Sequence, residues 1–188
     1  MFEQKIRNLS EENLEMARGE IGFVGLGIMG KPMVRNLMKA DYSVTVYDIV
    51  AESVEELATD GAIAASSAAE VASNNPIVIT MVPDSPQSEA AILGPGGVLE
   101  GASKGDTVID MSSIAPASSQ KIAAACEEAG VNFLDAPVSG GETGAIDGTL
   151  AVMVGGKKDI FDANFDIMSA MSGSIVLCGP YGAGNTTK

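Results

Sequence analysis

Ile21-Gly22-Phe23-Val24-Gly25-Leu26-Gly27-Ile28-Met29-Gly30 is the stretch whose reading decides the fold. Residues 21–24 are a short apolar run that reads as a buried strand, and residues 31–40 (KPMVRNLMKA) set apolar side chains along one helical face. Between them the glycines fall as G-x-G-x-x-G, with Leu26, Ile28 and Met29 interleaved. In a strand–turn–helix context Gly25 permits the tight turn, Gly27 lets a diphosphate approach the backbone, and Gly30 lets helix and strand pack closely. The helix start behind them offers free N–H groups and a positive dipole end to phosphates. Working outward, residues 43–47 (SVTVY) form a second strand that runs into Asp48, near the ~20-residue spacing expected of an acid that binds a ribose hydroxyl. Strand, glycines, helix, strand and acid in this order point to a bound dinucleotide. An acid at Asp48 favours NAD, because a 2′-phosphate would be repelled and the next residues, Ile49, Val50 and Ala51, supply no arginine. NADP stays open, as does a plain solvated strand-end role for Asp48.

Beyond Asp48 the pattern keeps alternating. Helices are expected at 51–59, 67–73, 87–93, 116–128 and 158–171, and strands at 62–64, 76–81, 107–110, 132–134, 149–154 and 174–177. That order predicts an α/β fold, a Rossmann-type doubly wound and mainly parallel sheet with right-handed crossovers and helices on both faces. Residues 1–19 read as an N-terminal extension, either a short helix with Phe2, Ile6, Leu9 and Leu14 on one face or equally a loose segment, and residues 20–188 read as the dinucleotide-binding domain. Residues 179–188 (GPYGAGNTTK) read as a loop.

Composition narrows the chemistry. A chain of 188 residues can bury one good core. A net charge of −14 argues against nucleic acid and anionic membrane as partners. No apolar run approaches the ~18 residues of a membrane span, and the charged first twenty residues carry no signal-peptide core, so the cytoplasm is the expected compartment. Cys126 and Cys178, far apart in sequence, read as buried reduced thiols. The chain has no histidine, which excludes a His-based triad, an imidazole-ligated zinc and a His general acid. A proton donor must then be a lysine, a tyrosine or a carboxyl. The Tyr-x-x-x-Lys pair is missing too, since Val46, Ala51 and Asn185 stand four residues after Tyr42, Tyr47 and Tyr181. Glu52, Glu55 and Glu56 read as a solvated helix face and suggest no metal, and Met29, Met33 and Met38 read as core packing.

Four further segments accompany the glycine fingerprint: residues 79–83 (ITMVP), 110–113 (DMSS), 135–141 (DAPVSGG) and 182–188 (GAGNTTK). With it they resemble the β-hydroxyacid dehydrogenase family, from Glu20 to the last residue. Within the family the wording is most similar to members that reduce tartronate semialdehyde to glycerate, and it is shared by those acting on 3-hydroxyisobutyrate and other short 3-hydroxyacids. The resemblance implies an NAD(P)-dependent oxidoreductase of a small hydroxyacid or semialdehyde. It implies that Met81, Val82 and Pro83 pass beneath the cofactor, that Gln87 touches it, and that Ser113 reaches the nicotinamide ribose. Ser139, Gly140 and Gly141 would hold the substrate carboxylate through a hydroxyl and backbone N–H groups. Lys188 matches the family's catalytic lysine, an ammonium suited to stabilising charge on a carbonyl oxygen and surrendering a proton. Family members continue past this lysine into an all-helical second domain that closes the site and builds a dimer, so the resemblance implies that this chain is the cofactor-binding part and that the full-length protein is a homo-oligomer. Ser112 and Ser113 also suit the cap of the helix near Pro116, and Gly140 and Gly141 also suit an ordinary loop. A dinucleotide-binding module without catalysis is the reading from another class.

Overall fold

A computed structural model describes residues 19–188. The expected extension therefore lies, apart from Gly19, outside the described residues. The first half alternates strand and helix: β1 (Glu20–Val24), α1 (Gly30–Lys39), β2 (Ser43–Tyr47), α2 (Ala51–Thr59), β3 (Ile63–Ala64), α3 (Ala68–Asn74), β4 (Ile77–Thr80) and α4 (Ser85–Leu93). Then come α5 (Val98–Gly101), β5 (Thr107–Asp110), α6 (Pro116–Ala129), β6 (Asn132–Asp135), β7 (Val138–Ser139), α7 (Gly141–Asp147) and β8 (Leu150–Gly156). The chain finishes with α8 (Lys158–Ala163), α9 (Phe165–Ser169), β9 (Ser172–Gly179) and α10 (Ala183–Thr187).

Strands β3-β2-β1-β4-β5-β6 lie side by side and all parallel. This is the Rossmann order, with the chain reversing direction of travel between β1 and β4. The sheet is buried on both faces because successive residues of each inner strand turn to opposite sides. Phe23, Ile79, Ile109 and Leu134 join Met33, Val34 and Leu37 of α1 in one core. Val24, Val78, Val108 and Phe133 join Val71 of α3, Ile92 of α4 and Ile122 of α6 in the other. Met33 is core, as its helical phase requires, and Met29 and Met38 pack partly buried against it.

The last third departs from the expected parallel order. β8 runs antiparallel to both β6 and β7, while β9 pairs parallel to β8. The cause is chain length: the link between β7 and β8 is shorter than the dozen or so residues that a parallel crossover needs. The helix expected over 158–171 is two helices, broken at buried Asn164, whose side-chain amide donates to Ile160 O at 2.8 Å and competes with the backbone ladder. Residues 140–148, read as loop, contain α7, and residues 179–188 contain α10. β9 has a partner on one side only, which leaves Val176 58 % exposed and Cys178 part-exposed, so of the two free thiols only Cys126 is buried. Burial pushes the Cys126 thiol up to about 12, with the Asp110 charge adding to it, which makes it inert as a nucleophile. Among the described residues no helix is long and apolar enough to cross a membrane.

Candidate cofactor and active site

The glycine loop leaves β1 at its carboxyl end and is tied to both neighbouring strands. Gly25 N donates to Tyr47 O at 3.0 Å, and Met81 N donates to Val24 O at 2.9 Å. Gly25 has φ 99°, and a Cβ there would collide with Met81 O; a Cβ on Gly30 would collide with Gly25 O. Gly27 differs from both, because a Cβ there would meet nothing within 4 Å. Protein packing therefore requires glycine at 25 and 30 but not at 27, where the missing side chain leaves open space beside the start of α1. That space is where a diphosphate would lie against backbone N–H groups, so the cradle fits a dinucleotide. α1 begins at Gly30, which leaves Ile28 in the loop and 66 % exposed.

Asp48 follows β2 and is bonded within the protein. Its Oδ2 accepts from Leu26 N at 2.5 Å and its Oδ1 from Val50 N at 2.8 Å, so the carboxylate clamps the glycine loop to the end of β2. Each oxygen keeps a lone pair for a further donor. Ile49 and Val50 beside it are 91 % and 48 % exposed.

The next two strand ends form a linked pair. Val82 N donates to Ser112 Oγ at 2.9 Å, and Ser112 N donates to Asp110 Oδ1 at 3.1 Å, which also accepts from Thr80 Oγ1 at 2.9 Å. Residues 81–83 and 112–113 are thus tied to each other through Asp110 and Ser112. Ser112 is buried, whereas Ser113 is exposed, as are Pro83 on the loop after β4 and Gln87 in the first turn of α4. Neither serine caps α6: its N-cap is Ala115, without a side-chain bond. Asp110 is fully buried, and loss of hydration raises its pKa above the usual carboxylate value, with the Ser112 and Thr80 contacts pulling the other way. Asp110 Oδ2 and the buried Ser88 hydroxyl have no hydrogen-bond partner of good geometry among the described residues.

Ser139 ends β7 exposed, and Gly140 and Gly141, at φ 139° and 61°, turn the chain into α7. α7 packs beside α1, where the buried amide of Asn36 donates to Ala145 O at 2.7 Å. Between these helices lies a cavity of about 290 Å³ whose walls include Leu26, Gly27, Ile28, Lys31, Glu142 and Ile146. None of residues 81–83, Ser113 or Lys188 lines it, so it adjoins the glycine loop from the side away from the β4–β5 ends. Lys31 and Arg35 on its rim are ion-paired with Glu56, and Arg35 also with Asp60 at 2.7 Å. The Glu56 face is thus a bridge between α1 and α2 rather than simply solvated, and those two cations hold its carboxyl below the usual range.

Lys188 ends the chain just past α10, exposed, with its N–H bonded to Gly184 O at 3.0 Å. Asn185, one turn earlier, accepts from Ile114 N at 2.9 Å and donates to Ser119 Oγ at 3.0 Å. α10 is therefore stitched to the segment that carries Ser113. The glycine loop, Asp48, residues 81–83, Ser113 and α10 all gather at the carboxyl ends of β2, β1, β4, β5 and β6, where ligands of open sheets bind. The sequence reading assigned no role to four polar residues of the domain: Asn36, Asp110, Asp135 and Asn185. Two of them had a signal, since TVID and NFLD are apolar strands that each end in a carboxylate at register-paired positions.

Residues 20–179 match the family described as the NAD binding domain of 6-phosphogluconate dehydrogenase. The chain belongs to this family of NAD-binding domains. It is 41 % identical over 169 residues to the 2-hydroxy-3-oxopropionate reductase of Escherichia coli, covering 90 % of this chain and 58 % of that protein. It is 43 % identical over 169 residues to the NAD-dependent L-serine dehydrogenase of Pseudomonas aeruginosa, covering 90 % of this chain and 57 % of that one. Among solved structures, the Mycobacterium tuberculosis 3-hydroxyisobutyrate dehydrogenase with L-serine superposes with a TM-score of 0.86 at 35 % identity, over 90 % of this chain and 57 % of that one. The resemblance to β-hydroxyacid dehydrogenases thus extends to the whole described domain, and the chain spans little more than half the length of these relatives.

Proposed function

We propose that this chain is the cofactor-binding part of an oxidoreductase that interconverts a short 3-hydroxyacid and its semialdehyde, with tartronate semialdehyde and glycerate as the first pair to test. The observation that carries the reading is the shared edge: the open space at Gly27 and the Lys188-bearing helix meet the same row of strand ends, joined through Asn185 and Ile114. When bound, the nicotinamide supplies or accepts the hydride. Gly25, Leu26, Gly27, Ile28, Met29 and Gly30 form the diphosphate turn, and Asp48 takes the adenosine ribose. Met81, Val82, Pro83, Gln87 and Ser113 flank the nicotinamide half. Ser139, Gly140 and Gly141 offer a hydroxyl and N–H groups to the substrate carboxylate. Lys188 Nζ donates a proton to the carbonyl oxygen in reduction and takes it back in oxidation. The carboxylate of Asp48, with no cation in the two residues after it, supports NAD over NADP. Turnover would need the further length that relatives have, a helical domain that also joins two copies, and two free thiols suit a reducing cytoplasm.

Steady-state assays of the full-length form with NADH or NADPH against tartronate semialdehyde, and with the oxidised cofactors against 3-hydroxyisobutyrate and L-serine, test the substrate. Lys188→Ala should lower kcat by about 10²–10⁴-fold; near-normal turnover would remove Lys188 from the chemistry. Equal calorimetric affinity for NAD and NADP would overturn the cofactor preference.

A further inference from the structure

We propose that Asp135 is the positioning residue for Lys188: it holds the first turn of α10 on the end of β6, so that the helix delivers its terminal lysine to the crevice. This rests on the reading of Lys188 given above.

β6 is buried from Phe133 onward, and Asp135 itself is 0 % exposed. A carboxylate so placed is costly unless its oxygens are hydrogen-bonded. Both bonds come from α10: Gly182 N donates to Oδ1 at 2.8 Å and Asn185 N to Oδ2 at 3.0 Å. These are N–H groups at the start of a helix, which have no partner within the helix itself. The chain also keeps a slot open for this contact. A Cβ on Gly155 would collide with Asp135 Oδ1, and a Cβ on Gly184 would collide with Met153 O and Asp135 O. Three segments distant in sequence, β6, β8 and α10, are thus shaped around one carboxyl group.

The direction of Lys188 follows from what the first turn of α10 is fastened to. Asp135 fixes the backbone at Gly182 and Asn185; the Asn185 side chain, bonded to Ile114 and Ser119, fixes rotation about that anchor. Asp135 is sealed from the crevice and touches no reactant, so it acts only through the helix.

The test is NMR on the 188-residue chain labelled at lysine, with the Lys188 signal identified by its loss in Lys188→Ala. Addition of NADH should shift the wild-type Lys188 Cε signal. In Asp135→Asn, calorimetry should give an unchanged NADH affinity, while the Lys188 shift should vanish. A Lys188 shift of wild-type size in that variant overturns the inference. An absent shift in the wild type at saturating NADH fails earlier, at the assignment of Lys188 itself, and takes the inference with it. If Asp135→Asn does not fold, Gly184→Ala lifts α10 while leaving the carboxylate in place, and it should also abolish the shift; a retained shift contradicts the claim. One measurement needs no variant: couplings across the hydrogen bonds from Asp135 Cγ to the Gly182 and Asn185 nitrogens should be detectable, and their absence overturns the anchoring.

Discussion

The glycine loop is held from many sides. Its backbone bonds to the ends of β2 and β4, the Asp48 carboxylate clamps Leu26, and Gly25 and Gly30 pack against neighbouring carbonyls. The lysine end of the crevice is fastened differently: the first turn of α10 bonds to both oxygens of one buried carboxylate, the Asn185 side chain ties it to Ile114 and Ser119, and Gly184 lies close against Met153. The contrast teaches where rigidity is needed for binding and where it is needed for aim. A diphosphate turn must keep its shape with or without ligand, so it is built from redundant backbone contacts. Under the proposal for Lys188, the ammonium group needs only a direction, and the buried Asp135 carboxylate would set it.

The largest effect expected from breaking this comparison is at Gly30. Gly30→Ala sets a methyl against the carbonyl of Gly25, backbone that cannot swing aside, and should cost about 3 kcal/mol or more of unfolding free energy in urea titration. Gly27→Ala, three residues earlier in the same motif but facing open space, should stay within about 0.5 kcal/mol of the wild type. Similar losses in both variants would mean that the space at Gly27 is not there.

A smaller effect separates the two register-paired carboxylates. Asp135→Asn replaces one acceptor with an amide that faces an N–H donor, and should cost about 1–3 kcal/mol. Asp110→Asn should stay within about 1 kcal/mol, since Oδ1 can keep its bonds to Thr80 and Ser112 while the amide replaces an oxygen with no partner. Equal costs would contradict the different roles given to them.

The pH dependence adds a second test at Asp110, though burial raises the Asp135 carboxyl in the same direction. Burial raises the Asp110 pKa above its unfolded value, so the folded state holds that proton more tightly than the unfolded chain does. Its contribution to stability is therefore fully present below about pH 3.9 and is lost as pH rises through the raised folded value. Asn does not titrate. Urea midpoints measured from pH 4 to about pH 7 should accordingly show Asp110→Asn gaining on the wild type as pH rises. A constant gap would deny the burial effect.

The smallest effect is at the surface. Glu56→Gln breaks exposed ion pairs to Lys31 and Arg35, and should leave the urea midpoint unchanged once salt is raised to screen them.

The parallel half was legible because its signals are local and agree with one another. Residues 21–30 carry strand, turn and helix in ten consecutive positions, and the apolar runs at 76–81 and 107–110 have the length and purity of strands buried on both faces. The direction of β8 was not legible, since nothing inside residues 150–156 records which neighbour the strand will meet; the shortness of the link before it was the clue. The break at Asn164 was hidden because a side chain competing for a carbonyl looks the same in sequence as one facing water. Positions at the crevice stand out in the sequence where the proposed chemistry asks for a residue type, as at Gly27, Asp48 and Lys188. They were not readable where a residue acts by holding another, as at Asp110, Asp135 and Asn36, because those partners lie 30 to 109 residues away.

Calorimetric titration of NAD into the wild-type chain and Gly27→Ala tests the account most directly. The wild type should bind, and the variant, with unchanged thermal stability, should bind about tenfold more weakly or worse because its methyl occupies the room left for the diphosphate. Equal affinity in the two proteins, or no binding by the wild type, would contradict it.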